Sequence, residues 1–127
     1  MATTGTLLSI VELGGYPNFA NLYQAKGFNV ERVDSMRKAV KRLKTIQPRI
    51  IVAEFNYQTD FRDRSSNLET LMATVSKLPN TRVIVFYEPE QHSKLEKLMA
   101  HFRIFDALSF PVDEQALSSS IDRAILE

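Results

Sequence analysis

Three glutamates each close a mostly apolar run: Glu12 follows Leu7 to Val11, Glu54 follows Ile50 to Ala53, and Glu88 follows Val83 to Tyr87. If those runs are neighbouring strands, the three carboxylates share one rim. Such a rim can hold a hard divalent cation through oxygen or receive a partner's lysine or arginine, and like charges held that close raise the pKa of one of them. The plainer reading is three separate, solvated rim charges, so no metal is assigned. The rest of the chemical inventory is thin. With no cysteine there is no thiolate nucleophile, no disulfide and no Cys-containing zinc site. His92 and His101 are nine residues apart on one predicted helix, which puts them on opposite faces. No Gly-x-Ser-x-Gly, Walker or dinucleotide glycine pattern occurs, and Gly14-Gly15 reads as a turn. We therefore expect no cofactor and no catalytic group.

The largest same-sign feature is the set Arg37, Lys38, Lys41, Arg42 and Lys44. They fall opposite an apolar stripe of Met36, Ala39, Val40, Leu43 and Ile46 on a helix predicted over 36–47. This face suits docking on an acidic partner, a phosphate backbone or an anionic membrane surface; a merely solvated face is the ordinary alternative. Nucleic acid is the weaker option, because no aromatic residues interleave with the cations and the net charge is only +1.

The elements that must position these residues read in order. Ile50 to Ala53 is apolar without alternation, as a strand covered on both faces would be. Before it come a strand over 6–13, a short helix opened by Pro17 or Asn18 and ended at Gly27, and an alternating strand over 28–33 that suits a sheet edge. Asp34 or Ser35 can cap the basic helix, and Pro48 ends it. After Glu54 a polar loop over 57–64 leads to a capping box, Ser66 with Glu69, and a helix through Leu68, Leu71, Met72, Val75 and Leu78. A strand over 81–87, a helix bearing Leu95, Leu98, Met99 and Phe102, a strand over 103–110 and a last helix capped by Asp113 complete five βα units. Right-handed crossovers then favour a doubly wound, five-stranded parallel sheet, in the order 2-1-3-4-5, with helices on both faces. Its ligand crevice lies beyond the carboxyl ends of the strands, hence around Glu54.

At 127 residues, 44% hydrophobic and 24% charged, the chain has globular composition and reads as one domain over 1–127. No run approaches the roughly 20 apolar residues of a membrane span, and no basic leader opens the chain. The default compartment is the cytoplasm, with no membrane insertion.

Five βα units, the Gly-aromatic pair Gly27-Phe28 opening the second strand, the proline before the third and the Phe110-Pro111 junction after the fifth resemble the receiver domain of two-component response regulators. In that family an aspartate ending the third strand accepts phosphoryl, an acidic pair after the first holds Mg²⁺, a Thr or Ser ends the fourth, and a lysine precedes the proline after the fifth. The resemblance puts Glu54 at the acceptor position and gives the acidic-pair region, Ile10 to Glu12, at most one carboxylate. It puts Tyr87 at the Thr position, Phe110 at the Lys position and Ala107 near the aromatic switch. Each change removes a role, from Mg²⁺ ligation to the cation that pairs with phosphoryl oxygens. The implied protein is a degenerate or pseudo-receiver of the bacterial type.

That implies a non-enzymatic module acting through protein contact: docking on a sensory or regulatory protein, or a homodimer through the fourth helix, fifth strand and fifth helix. Lys94, Lys97, Arg103, Asp106, Asp122 and Arg123 are the charges expected on that face. Glu54 reads either as a built-in mimic of the phosphorylated state or as a strand-end carboxylate, solvated or paired with Arg62 or Arg64; it carries only part of a phosphoryl group's charge of about −2. Tyr87 and Phe110 are expected to meet over the crevice and fill it. The alternatives are a phosphoacceptor using Glu54, Asp60 or Asp63 with Mg²⁺ on Glu12, and a flavodoxin-like domain binding a metal or small ligand.

Overall fold

A computed structural model describes residues 5–11, 19–55 and 68–126. The strands are β1 (Gly5–Ile10), β2 (Phe28–Val33), β3 (Ile50–Glu54), β4 (Arg82–Tyr87) and β5 (Asp106–Ser109). The helices are α1 (Ala20–Ala25), α2 (Met36–Arg42), α3 (Leu68–Val75), α4 (His92–Met99) and α5 (Glu114–Leu126). All four strand pairings are parallel, and the sheet order is β2-β1-β3-β4-β5, as the pattern of elements predicts.

Alternation along the strands sorts the core into two layers. Leu8, Ile10, Ile51, Ala53, Val83 and Val85 face the layer packed by α2, α3 and α4. Leu7, Ile50, Val52, Ile84 and Phe86 face the layer packed by α1 and α5. Every residue of β3 is buried, which is why its sequence shows no alternation. Truncating a side chain such as Ile51, with no exposed surface, would cost about 2–5 kcal/mol. The edge strand β2 is only partly covered, and its sequence alternates accordingly.

Local signals act largely where the sequence puts them. Gly27 follows α1 with φ +92°, a conformation that favours glycine, and its N–H donates to Gln24 O at 3.0 Å. Ser35 caps α2, its Oγ accepting from Lys38 N at 3.1 Å, and Asp113 caps α5, its carboxylate accepting from Ala116 N at 3.3 Å. The proposed caps Pro17, Asn18 and Ser66 lie outside the described residues.

Several elements are shorter than expected, among them α3, which ends at Val75 rather than running through Leu78. Helix α2 stops at Arg42, not Gln47. Bonds three residues back, Lys44 N to Lys41 O and Thr45 N to Arg42 O, tighten its end, and the Thr45 hydroxyl donates to the same Arg42 carbonyl, as a local side chain competing with the helix does. Strand β5 starts at Asp106 because Ile84 pairs with Asp106, a register that carries Arg103 past the start of β4. Helix α4 stops at Met99, so His101 lies beyond it. Leu95 and Leu98 are buried and Phe102 packs on the core, but Met99, at the margin of the stripe, is 41% exposed.

Candidate functional site at the carboxyl ends of the strands

Glu54 is the last residue of β3, and the sheet register sets Phe86 beside it. It is not solvated: only 3% of it is exposed. A cavity of about 50 Å³ adjoins it, walled by Ser9, Phe19, Tyr23, Arg32, Val52 and Phe86 among others. Phe19 and Phe86 meet edge to face, their centroids 5.9 Å apart, in a geometry aromatic pairs favour. Tyr23 is buried in the same wall, and that burial pushes its hydroxyl pKa well above the ordinary tyrosine value, so the phenol stays neutral. Arg62 and Arg64, the pairing partners considered for Glu54, lie outside the described residues, as do Glu12, Asp60 and Asp63.

The rings expected to close the crevice stand elsewhere. Phe110 is 39% exposed, although its N–H donates to Tyr87 O at 2.8 Å, just before the exposed Pro111. Tyr87 is half-buried on the α2, α3 and α4 side of the sheet and lies 5.7 Å, between centroids, from the ring of His92. His92 in turn pairs with Glu96 at 3.2 Å. The reason is parity: Val83, Val85 and Tyr87 share one face of β4, and Ile84 and Phe86 the other. Glu54 shares the face of Ile50 and Val52, and therefore meets Phe86. Strand geometry alone sets which residues share a face; the register that joins the two strands comes from the fold.

Glu88 is half-exposed where β4 enters a short 3-10 turn, Pro89–Gln91. Among the described residues no group of three or more His, Cys, Asp or Glu is placed to hold a metal ion; the rim of three glutamates is not described as a whole, because of Glu12.

The two candidate docking faces are partly engaged within the chain. Arg37, Lys41 and Lys44 are exposed. Lys38 pairs with Asp34 at 2.8 Å, and the hydrogen bond and charge of Lys38 hold the Asp34 carboxyl below its ordinary pKa. Arg42 turns to β2, where both Nε and Nη2 donate to the Glu31 carboxylate, Nε at 3.2 Å. On the other face Arg123 pairs with Asp106 at 2.8 Å and lies over the Phe105 ring, while Asp122 takes Lys26 at 2.7 Å. Lys97 and Arg103 are exposed.

No protein-family model matches this sequence, and no curated protein matches it. Solved structures do. The chemotaxis response regulator CheY4 of Vibrio cholerae superposes with a TM-score of 0.73 at 15% identity, over 96% of this chain and 99% of that one. A response regulator receiver protein from Sinorhizobium medicae gives 0.72 at 18% identity, over 95% and 94%. The signal receiver domain of a LuxO-type repressor protein from Vibrio parahaemolyticus gives 0.72 at 16%, over 96% and 90%. Identities this low speak to the backbone, not to the chemistry of the site. With its parallel order β2-β1-β3-β4-β5, this chain has the flavodoxin-like fold of response-regulator receiver domains.

Proposed function

We propose that this domain is a signalling module of the two-component type that works through protein–protein contact and takes no phosphoryl group at the family's usual position. It is a pseudo-receiver, not an enzyme, and it works in the cytoplasm. The observation that carries this reading is the burial of Glu54. Aligned with the phosphoacceptor, it is 3% exposed and lines the same small cavity as the paired rings of Phe19 and Phe86. In-line phosphoryl transfer needs an accessible nucleophile, a metal and a cation on the transferred oxygens. Tyr87 and Phe110 stand at the positions that would supply the hydroxyl and that cation. Output then passes through surfaces, either the basic face of α2 or self-association through α4, β5 and α5, where Met99 is an exposed apolar side chain.

Intact-mass spectrometry of the protein with excess acetyl phosphate and Mg²⁺ tests this. The expected spectrum shows the unmodified mass. An added phosphoryl group that disappears in Glu54→Gln would overturn the pseudo-receiver reading, and one that disappears in Asp60→Asn or Asp63→Asn would place the acceptor in the loop instead.

A further inference from the structure

At the opposite end of the sheet from Glu54, a groove of about 310 Å³ lies between the end of α3 and the segment joining α4 to β5. Its floor is apolar, formed largely by Val75, Leu78, Phe102 and Phe105. Arg82, His101 and Arg103 stand on its wall, and among the described residues no acid lines it. Small-molecule sites have this composition, an apolar lining with a few convergent polar groups, in volumes of roughly 300–1,000 Å³.

The charge arrangement extends past the groove. A second recess of about 430 Å³ shares Leu78, Pro79, Thr81 and Arg82 with it, adds Arg49 and again, among the described residues, has no acid in its lining. An arginine thus stands at the amino end of each of three adjacent strands: Arg49 before β3, Arg82 opening β4 and Arg103 ahead of β5. Two of them are anchored on backbone, Arg82 through Nη1 on Pro79 O at 2.8 Å and Arg49 through Nη2 on Ile125 O. In a chain with 16 cations against 15 acids, this end concentrates positive charge beside an open apolar floor.

We propose that the groove binds a small amphipathic anion: a carboxylate or phosphate carried on an aromatic or short acyl body. The body lies on Phe102, Phe105, Val75 and Leu78, and the anionic head lies between Arg82 and Arg103, beside His101. This site is separate from the crevice at Glu54 and does not depend on whether Glu54 takes phosphoryl.

Amide NMR titrations of the full chain test it, with phenyl phosphate and phenylacetate as probes and inorganic phosphate and benzyl alcohol as the head and the body alone. The expected result is saturable binding of at least one probe, with shifts confined to residues 75–82 and 101–105. Head and body alone should each bind roughly tenfold or more weakly than that probe, and the tighter probe identifies the head group. Arg103→Glu should weaken binding roughly tenfold or more, the scale of one lost charge-assisted contact. Ser76→Glu, which adds an acid at the rim and leaves every cation in place, should weaken it too. Lys97→Glu, an equal charge change outside the groove, should not. The proposal is overturned if neither probe saturates, if inorganic phosphate or benzyl alcohol binds as well as the tighter probe, or if Arg103→Glu binds like the wild type. In the last case the cations serve only the carboxyl ends of the neighbouring helices.

Discussion

Phe19 and Phe86 meet edge to face at 5.9 Å on the wall of the cavity beside Glu54. Both rings are largely buried, so this pair, rather than Tyr87 with Phe110, stands beside the end of β3. Phe86→Ala should therefore cost about 3–5 kcal/mol, the usual loss on truncating a buried aromatic. Phe110→Lys changes an exposed side chain and should stay within about 0.5 kcal/mol. Urea unfolding of both variants is the check; equal destabilisation would mean that Phe110 shares the plug after all.

The α2 face is best probed at Lys41 and Lys44, which are exposed and, among the described residues, join no ion pair. Arg42 is a poor probe, because its guanidinium is held by Glu31 and its removal would mix docking with stability, by up to about 1 kcal/mol for so exposed a pair. Lys41→Glu with Lys44→Glu should leave the melting temperature near that of the wild type and weaken partner capture. Capture of the same proteins at the same yield by the double variant would remove this face from consideration.

Ser120 is fully buried in α5, and among the described residues its Oγ has no hydrogen-bond partner. It packs on the same helix face as Leu117, Ile121 and Ala124. A buried hydroxyl left unsatisfied costs about 1–3 kcal/mol, so Ser120→Ala should stabilise the protein by about 1 kcal/mol or more in urea. A loss of stability would show that the hydroxyl is satisfied in solution.

Tyr23 is expected to make stability fall in alkali. Burial raises its pKa in the folded state, while the unfolded chain titrates near the ordinary value of about 10. Its contribution is therefore complete below that value. As pH climbs past it, the unfolded state loses its proton first and gains stability, at up to about 1.4 kcal/mol per pH unit. Tyr23→Phe should be nearly as stable as the wild type at neutral pH and lose part of the alkaline decline. Identical pH profiles for the two proteins would exclude Tyr23 as the source.

Much of the architecture was legible in the chain because it depends on local periodicity. The unbroken apolar run of β3, the alternation of β2, the glycine after α1 and the caps at Ser35 and Asp113 each act within a few residues, and five βα units admit few right-handed topologies. Tertiary structure decided what lies next to what. The parallel register set Phe86, not Tyr87, beside Glu54, and docking of α1 brought Phe19 to the same wall. Burial then turned an expected rim charge into a core residue. Pairs between different elements, Arg42 with Glu31 and Asp122 with Lys26, divided what had read as continuous charged faces. Register and cross-chain pairing are set by packing between distant segments, and a one-residue slip in a strand sends every side chain to the other face. Spacing along the chain therefore marked Glu54 as the place to look, and only the assembled sheet decided what surrounds it.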